Sequence, residues 1–190
     1  MAMRLSQIIF RLWPVHIFAS VCLAYSNGEK VTMGPPDAVQ AVKSIPETFL
    51  HSSARKFYLE CVRTTFQLDG SDSGTMELFI VQEDPMNLPP TIIKKFFKVN
   101  ETNKSELLIS RDKGGSVDST LTVLYSDMTS CMITVNSIDP TPCALQVNAA
   151  CFQTPSDACI KKFKKLCKVK HIQKSYTYNS ENCTRKENGN

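Results

Sequence analysis

Beyond Lys56 the chain changes face with every residue, and that period of two constrains the fold more than any other feature. Lys56 to Leu68 (KFYLECVRTTFQL) alternates and is rich in β-formers. It breaks at Asp69-Gly70-Ser71-Asp72-Ser73-Gly74, a strong turn signal. A second strand is predicted over residues 75–82, ending before Pro85, Pro89 and Pro90. Others follow over 92–99, 106–110, 120–126, 131–135 and 143–147, separated by short polar or glycine- and proline-bearing segments. Seven or eight short strands joined by turns predict a mainly all-β, antiparallel barrel or sandwich. No helix-length crossover separates them, which argues against parallel βαβ winding.

The periodicity differs at both ends. Residues 27–50 read as polar and irregular, except that Pro36 and Asp37 fit the opening of a short helix. Near the C-terminus Pro155-Ser156-Asp157 caps a segment in which Ile160, Phe163 and Cys167 recur at helical spacing. Lysines 161, 162, 164, 165, 168 and 170 take its other face and read as solvated. A helix that follows a run of antiparallel strands is expected to pack outside them.

The first residues read as a signal peptide. Arg4 precedes the mostly apolar stretch Ile8–Ala24, which closes on small residues suited to cleavage after Ala24 or after Ser26. Arg11, Pro14 and His16 interrupt the stretch and argue against a spanning helix. The remaining residues, 25–190, are enough for one domain with its own core. Loss of Arg4 and Arg11 lowers the formal charge from +4 to +2, a balance that does not suggest nucleic acid.

Seven cysteines follow Ala24: Cys61, Cys131, Cys143, Cys151, Cys159, Cys167 and Cys183. In an exported, extracellular chain they predict three disulfides and one leftover thiol. No C-x2-C pair occurs and only His51 and His171 remain, so no metal site is expected. Three sequons fit export, at Asn100, Asn103 and Asn182, the first two in a polar loop. Nucleophile-elbow, P-loop, zincin and dinucleotide fingerprints are all missing from the sequence, so neither an enzyme nor a cofactor is expected.

The stretch from Leu121 to Cys183 carries a resemblance. Leu124-Tyr125-Ser126-Asp127 precedes Cys131, and Cys143-Ala-Leu-Gln-Val147 follows. Then come Pro155-x3-Cys159-x3-Phe163-x3-Cys167, and Cys183 after Tyr176 and Tyr178. This pattern resembles the salivary lipocalins of ticks, including the histamine-binding proteins, and Asp37-Ala38-Val39 resembles the Asp-Ala-Trp opening of many of them. The resemblance implies one lipocalin-like domain over 25–190. In it an eight-stranded barrel is flanked by a short N-terminal helix and a C-terminal helix outside. It also implies bridges Cys61–Cys183 and Cys131–Cys159. Cys143–Cys167 is taken as the third, a pairing spacing does not settle, with Cys151 left over.

The function so implied is a secreted binder of a small host mediator. Amine-binding members resemble C-D-[VIL] on one strand and E-L-[WY] on the next; here those positions read Cys131-Met132-Ile133 and Ala144-Leu145-Gln146. With both acids gone, a buried cation would lose several kcal/mol of solvation with little returned. The expected guest is therefore apolar or amphipathic, fatty-acid- or eicosanoid-like, with Lys94, Lys95 or Arg63 available to a carboxylate. The family register turns Met132, Thr134, Ala144 and Gln146 inward and sets Ile133 and Val135 under the helix; Phe79, Phe97 and Tyr125 complete the expected pocket. Alternatives are a histamine or serotonin binder with acids relocated to Glu60, Glu77 or Asp84, and a barrel that blocks a host complement or clotting factor through mouth loops 83–91 and 100–105. A Cys-rich secreted protein of unrelated fold is a further rival. No membrane anchor is expected.

Overall fold

The computed structural model describes residues 34–54, 59–82, 89–138 and 143–169. The expected signal peptide, the loop at 83–88, Asn182 and Cys183 lie outside them.

Eight antiparallel strands form a closed barrel in sequential order. They are β1 (Glu47–Ser53), β2 (Leu59–Leu68), β3 (Ser73–Gln82), β4 (Thr91–Asn100), β5 (Asn103–Ser110), β6 (Val117–Ser126), β7 (Cys131–Asn136) and β8 (Ala144–Val147). Closure comes from pairing β8 with β1, Phe49 opposite Val147 and Leu50 opposite Gln146. This removes the open edges that would otherwise invite aggregation. The strand β1 lies in a segment read above as irregular. Its positions 48, 49, 51, 52 and 53 are all buried, so both faces are covered and no alternation marks it.

A short helix, α1 (Ala38–Ser44), precedes β1; the Asp37 carboxylate caps it by accepting the Gln40 amide at 3.0 Å. It packs on β5, β6 and β2, and its Ala38, Val39, Ala41 and Val42 plug one end of the barrel. A second helix, α2 (Asp157–Leu166), is capped by Ser156, whose hydroxyl accepts the Cys159 amide at 3.3 Å. It packs on the outside of β6, β7 and β8.

Two apolar layers result. The inner one joins α1 to Phe66, Met76, Phe97, Val99, Leu107, Ile109, Leu121, Val123 and Met132. The outer one lies under α2 and the 3-10 turn Ala149–Cys151, and holds Phe49, Phe79, Val81, Ile133, Leu145, Val147, Phe152 and Phe163. Phe163 alone, 1% exposed, contributes about 3 kcal/mol of burial.

Disulfides Cys131–Cys159 and Cys143–Cys167 staple α2 to β7 and to the start of β8. Cys61 and Cys151 are also disulfide-bonded, which corrects the expectation that Cys151 is the leftover thiol. Near the first staple, Asp127 closes the β6–β7 turn. Its carboxylate accepts the amides of Thr129, Ser130 and Cys131 at 3.0, 2.7 and 2.9 Å, together with the Ser130 hydroxyl. Burial works against the charged form, but the hydrogen bonds together outweigh it and hold the Asp127 carboxyl below the usual carboxylate range.

Candidate functional site

Inside the barrel, away from the α1 plug, a cavity of about 220 Å³ is lined by Leu50, Ser53, Val62, Thr64, Phe66, Met76, Leu78, Leu121, Thr134, Asn136, Ala144 and Gln146. Its wall is mainly apolar on β2 and β3, Thr64 excepted, and mainly polar on β7 and β8, Ala144 excepted. Across the polar side runs a neutral relay. The Thr48 hydroxyl donates to Gln146 Oε1 at 2.7 Å, and Gln146 Nε2 donates to Thr134 Oγ1 at 3.2 Å. Among the described residues no acid lines this cavity.

The structure puts the expected pocket residues in three places. Thr134, Ala144 and Gln146 stand on the cavity wall. Met132 and Phe97 face inward too but are packed solid below it, Met132 fully buried and Phe97 edge-on to Phe66 with centroids 6.1 Å apart. Phe79 and Tyr125 belong outside, which corrects their placement in the pocket.

Phe79 pairs with Arg63 on the outer face, and the guanidinium lies 5.0 Å over its ring. Tyr125 is turned out by a bulge between Val123 and Tyr125: Val123 pairs with inward Thr134, whereas Tyr125 pairs with Ile133 under α2. The Lys162 ammonium sits 5.4 Å over the Tyr125 ring, and burial, then the Asp127 charge, raises the phenol's pKa.

The charged candidates also separate. Lys95 pairs with Met76, a cavity residue, so it shares the inner face of β4 and is half-buried there. Lys94 and Glu77 pair with each other on the outer face, and Arg63 is on that face as well. The turn at 101–102 joins β4 to β5 at the plugged end, so the expected mouth loop 100–105 is corrected to a tight hairpin remote from the cavity. Asn100 ends β4 and Asn103 opens β5; their side-chain amides donate to the two oxygens of Glu106 at 2.8 and 2.7 Å.

Sequence reasoning missed the β1 and β2 contributions: Thr48, Leu50, Val62, Thr64 and Phe66. Those of β2 alternate in the sequence and needed only the register. Thr48 and Leu50 sit on the strand that shows no alternation.

Two other features resemble sites. Asp127, Cys131 and Cys159 offer ligand atoms within 4.8 Å of one another, but both sulfurs are spent in a disulfide. A groove of about 300 Å³ lies on the outer face of β3–β5 under the β5–β6 turn, where Lys113 donates to Asp69 at 2.9 Å. It is separate from the barrel cavity. Among the described residues no helix is long and apolar enough to cross a membrane.

No family model and no curated protein matches the chain. Solved structures do. AM182, in complex with serotonin, is similar at 20% identity with TM-score 0.54, covering 76% of this chain and 92% of that one. Japanin from Rhipicephalus appendiculatus, bound to cholesterol, is similar at 13% identity with TM-score 0.51, covering 70% and 91%. Apocrustacyanin C2 is similar at 15% identity with TM-score 0.51, covering 77% and 91%. At these identities the likeness establishes the architecture alone, and that architecture, a sequential eight-stranded barrel plugged by α1 and braced by α2, is the lipocalin fold.

Proposed function

We propose that the chain is a secreted carrier that takes one small apolar or amphipathic guest into its barrel, of fatty-acid or eicosanoid kind, and so withdraws a host's inflammatory or haemostatic mediator. The observation that carries this reading is the wall of the cavity. Leu50, Val62, Phe66, Met76, Leu78 and Leu121 offer apolar surface, and the polar groups among the rest are neutral. Among the described residues a buried ammonium would find no counter-charge there, and its lost hydration would go unreturned. Thr134 and Gln146, held by their relay, suit a neutral hydroxyl or carbonyl. Lys95, on the inner face of β4, suits a carboxylate.

The lipocalin fold supports small-ligand binding, since AM182 was solved with serotonin and Japanin with cholesterol. Those two guests also mark the choice to be tested. At about 220 Å³ the cavity is smaller than the roughly 300–1,000 Å³ usual for ligand sites, which favours a guest inserted by one end. The tight disulfide framework supports an oxidising, extracellular setting.

Native mass spectrometry of the secreted protein with its co-purified lipids, followed by calorimetry, tests the proposal. Retention of a lipid, and binding of arachidonate-type acids with histamine and serotonin inert, is the expected result. Tight amine binding, or no lipid and no acid binding, would overturn it.

A further inference from the structure

We propose that the outward face of α2 is a docking site for a sulfated polysaccharide of the heparin class. Four exposed lysines, Lys161, Lys162, Lys164 and Lys165, stand on this ten-residue helix, and exposed Lys168 follows it. Asp157 in the first turn is its only acid. At about 100° per residue, Lys161, Lys164 and Lys165 fall within a third of the circumference, opposite the buried Cys159 and Phe163.

Pairs three and four apart, such as Lys161 with Lys164 and with Lys165, bring like charges together and repel. Among the described residues none of these lysines forms an ion pair; the Tyr125 ring under Lys162 is the recorded partner. Among the described residues the face is therefore a charge surplus left without an acidic partner.

The face is also held rigid. One disulfide grips the first half of the helix at Cys159 and the other its C-cap at Cys167, with Phe163 buried between them. The lysine row, roughly 6 Å from Lys161 to Lys165 along the axis, cannot roll away from a bound chain. A pre-organised surface loses less entropy on binding.

The chemistry selects among polyanions. Lysine ammoniums are compact point charges that suit isolated sulfates, and short lysine-rich runs are a known form of heparin patch. Single-stranded nucleic acid calls for aromatic rings to stack its bases, and the one aromatic of α2, Phe163, is buried. Disulfides persist in oxidising compartments, where sulfated glycans are the polyanions met. The inference does not depend on what the barrel holds.

Heparin-agarose chromatography and titration with a heparin dodecasaccharide test it, on the full secreted protein with its disulfides intact. The triple variant K161Q/K164Q/K165Q is compared with K43Q/K94Q/K104Q, which removes the same charge from exposed lysines elsewhere. The wild type is expected to stay bound beyond physiological salt. The helix variant should lose about tenfold in affinity and roughly two to three from the salt slope, while the control keeps both. Release of the wild type below physiological salt, equal losses in the two variants, or equally tight binding of duplex DNA would overturn the proposal. Unchanged circular dichroism in both variants ties the loss to the face and not to unfolding.

Discussion

The edge of the Phe97 ring fills the place that a side chain at Gly74 would take. A Cβ at position 74 would lie 2.7 Å from Phe97 Cζ and 2.1 Å from the carbonyl oxygen of Gln67. The two residues pair across β3 and β4, so the glycine is required by its partner strand and by the ring together.

Gly74→Ala is therefore expected to destabilise the barrel by about 2 kcal/mol or more, since the backbone of β2 must shift. Phe97→Ala should cost about 3–5 kcal/mol. Urea unfolding gives both values. A Gly74→Ala protein as stable as the wild type would show that the strands are not packed this closely.

The two staples on α2 give a second expectation. Their closed segments, 28 and 24 residues in separation, each restrict the unfolded chain by about 3.5 kcal/mol in the loop-entropy model. Replacing Cys143 and Cys167 together with alanine should lower the unfolding free energy by that order, read from urea melts, and leave the barrel's far-ultraviolet spectrum intact. Loss of the barrel signal itself would show that α2 is needed for the strands to close.

The fold class was legible in the sequence because most strands have one face on each apolar layer, and the alternation of Ser73–Gln82 or Val117–Leu124 records that difference. The α2 cap at Ser156 and its Ile160–Phe163 stripe were legible for the same reason. The strand β1 was hidden because both of its faces are buried. Tyr125 was misplaced because a bulge inserts one residue and inverts every later position, which composition does not show. Phe79 was misplaced because an outer apolar layer, under α2 and the 3-10 turn, also demands aromatic residues.

Asp127 sets a pH dependence. Its carboxyl titrates lower in the folded chain than in the unfolded one. The stabilisation is therefore fully present above the unfolded pKa, near 3.8, and is lost as the pH falls through the lower folded value. Asp127→Asn should lower the melting temperature at neutral pH and flatten the dependence below about pH 4. Melting curves from pH 2 to 7 check it, and parallel curves for the two proteins would refute it.

The cavity wall can be tested without touching the outer layer. Ala144→Phe would fill space beside Gln146 and is expected to abolish uptake of an arachidonate-type acid while the protein still unfolds cooperatively. Lys95→Gln should weaken the acid by about tenfold, the loss of one charge-assisted contact, and spare a neutral sterol. Equal weakening of acid and sterol by Lys95→Gln would place the headgroup elsewhere.

The extra residue between Val123 and Tyr125 gives α2 two neighbouring anchors from one strand. Leu124 and Tyr125 both pack on the outer layer, whereas strict alternation would send the second of them to the lumen. Removing Leu124 would restore plain alternation with Tyr125 still opposite Ile133. The strand can thus change length by one residue beneath the helix and leave the cavity wall as it is.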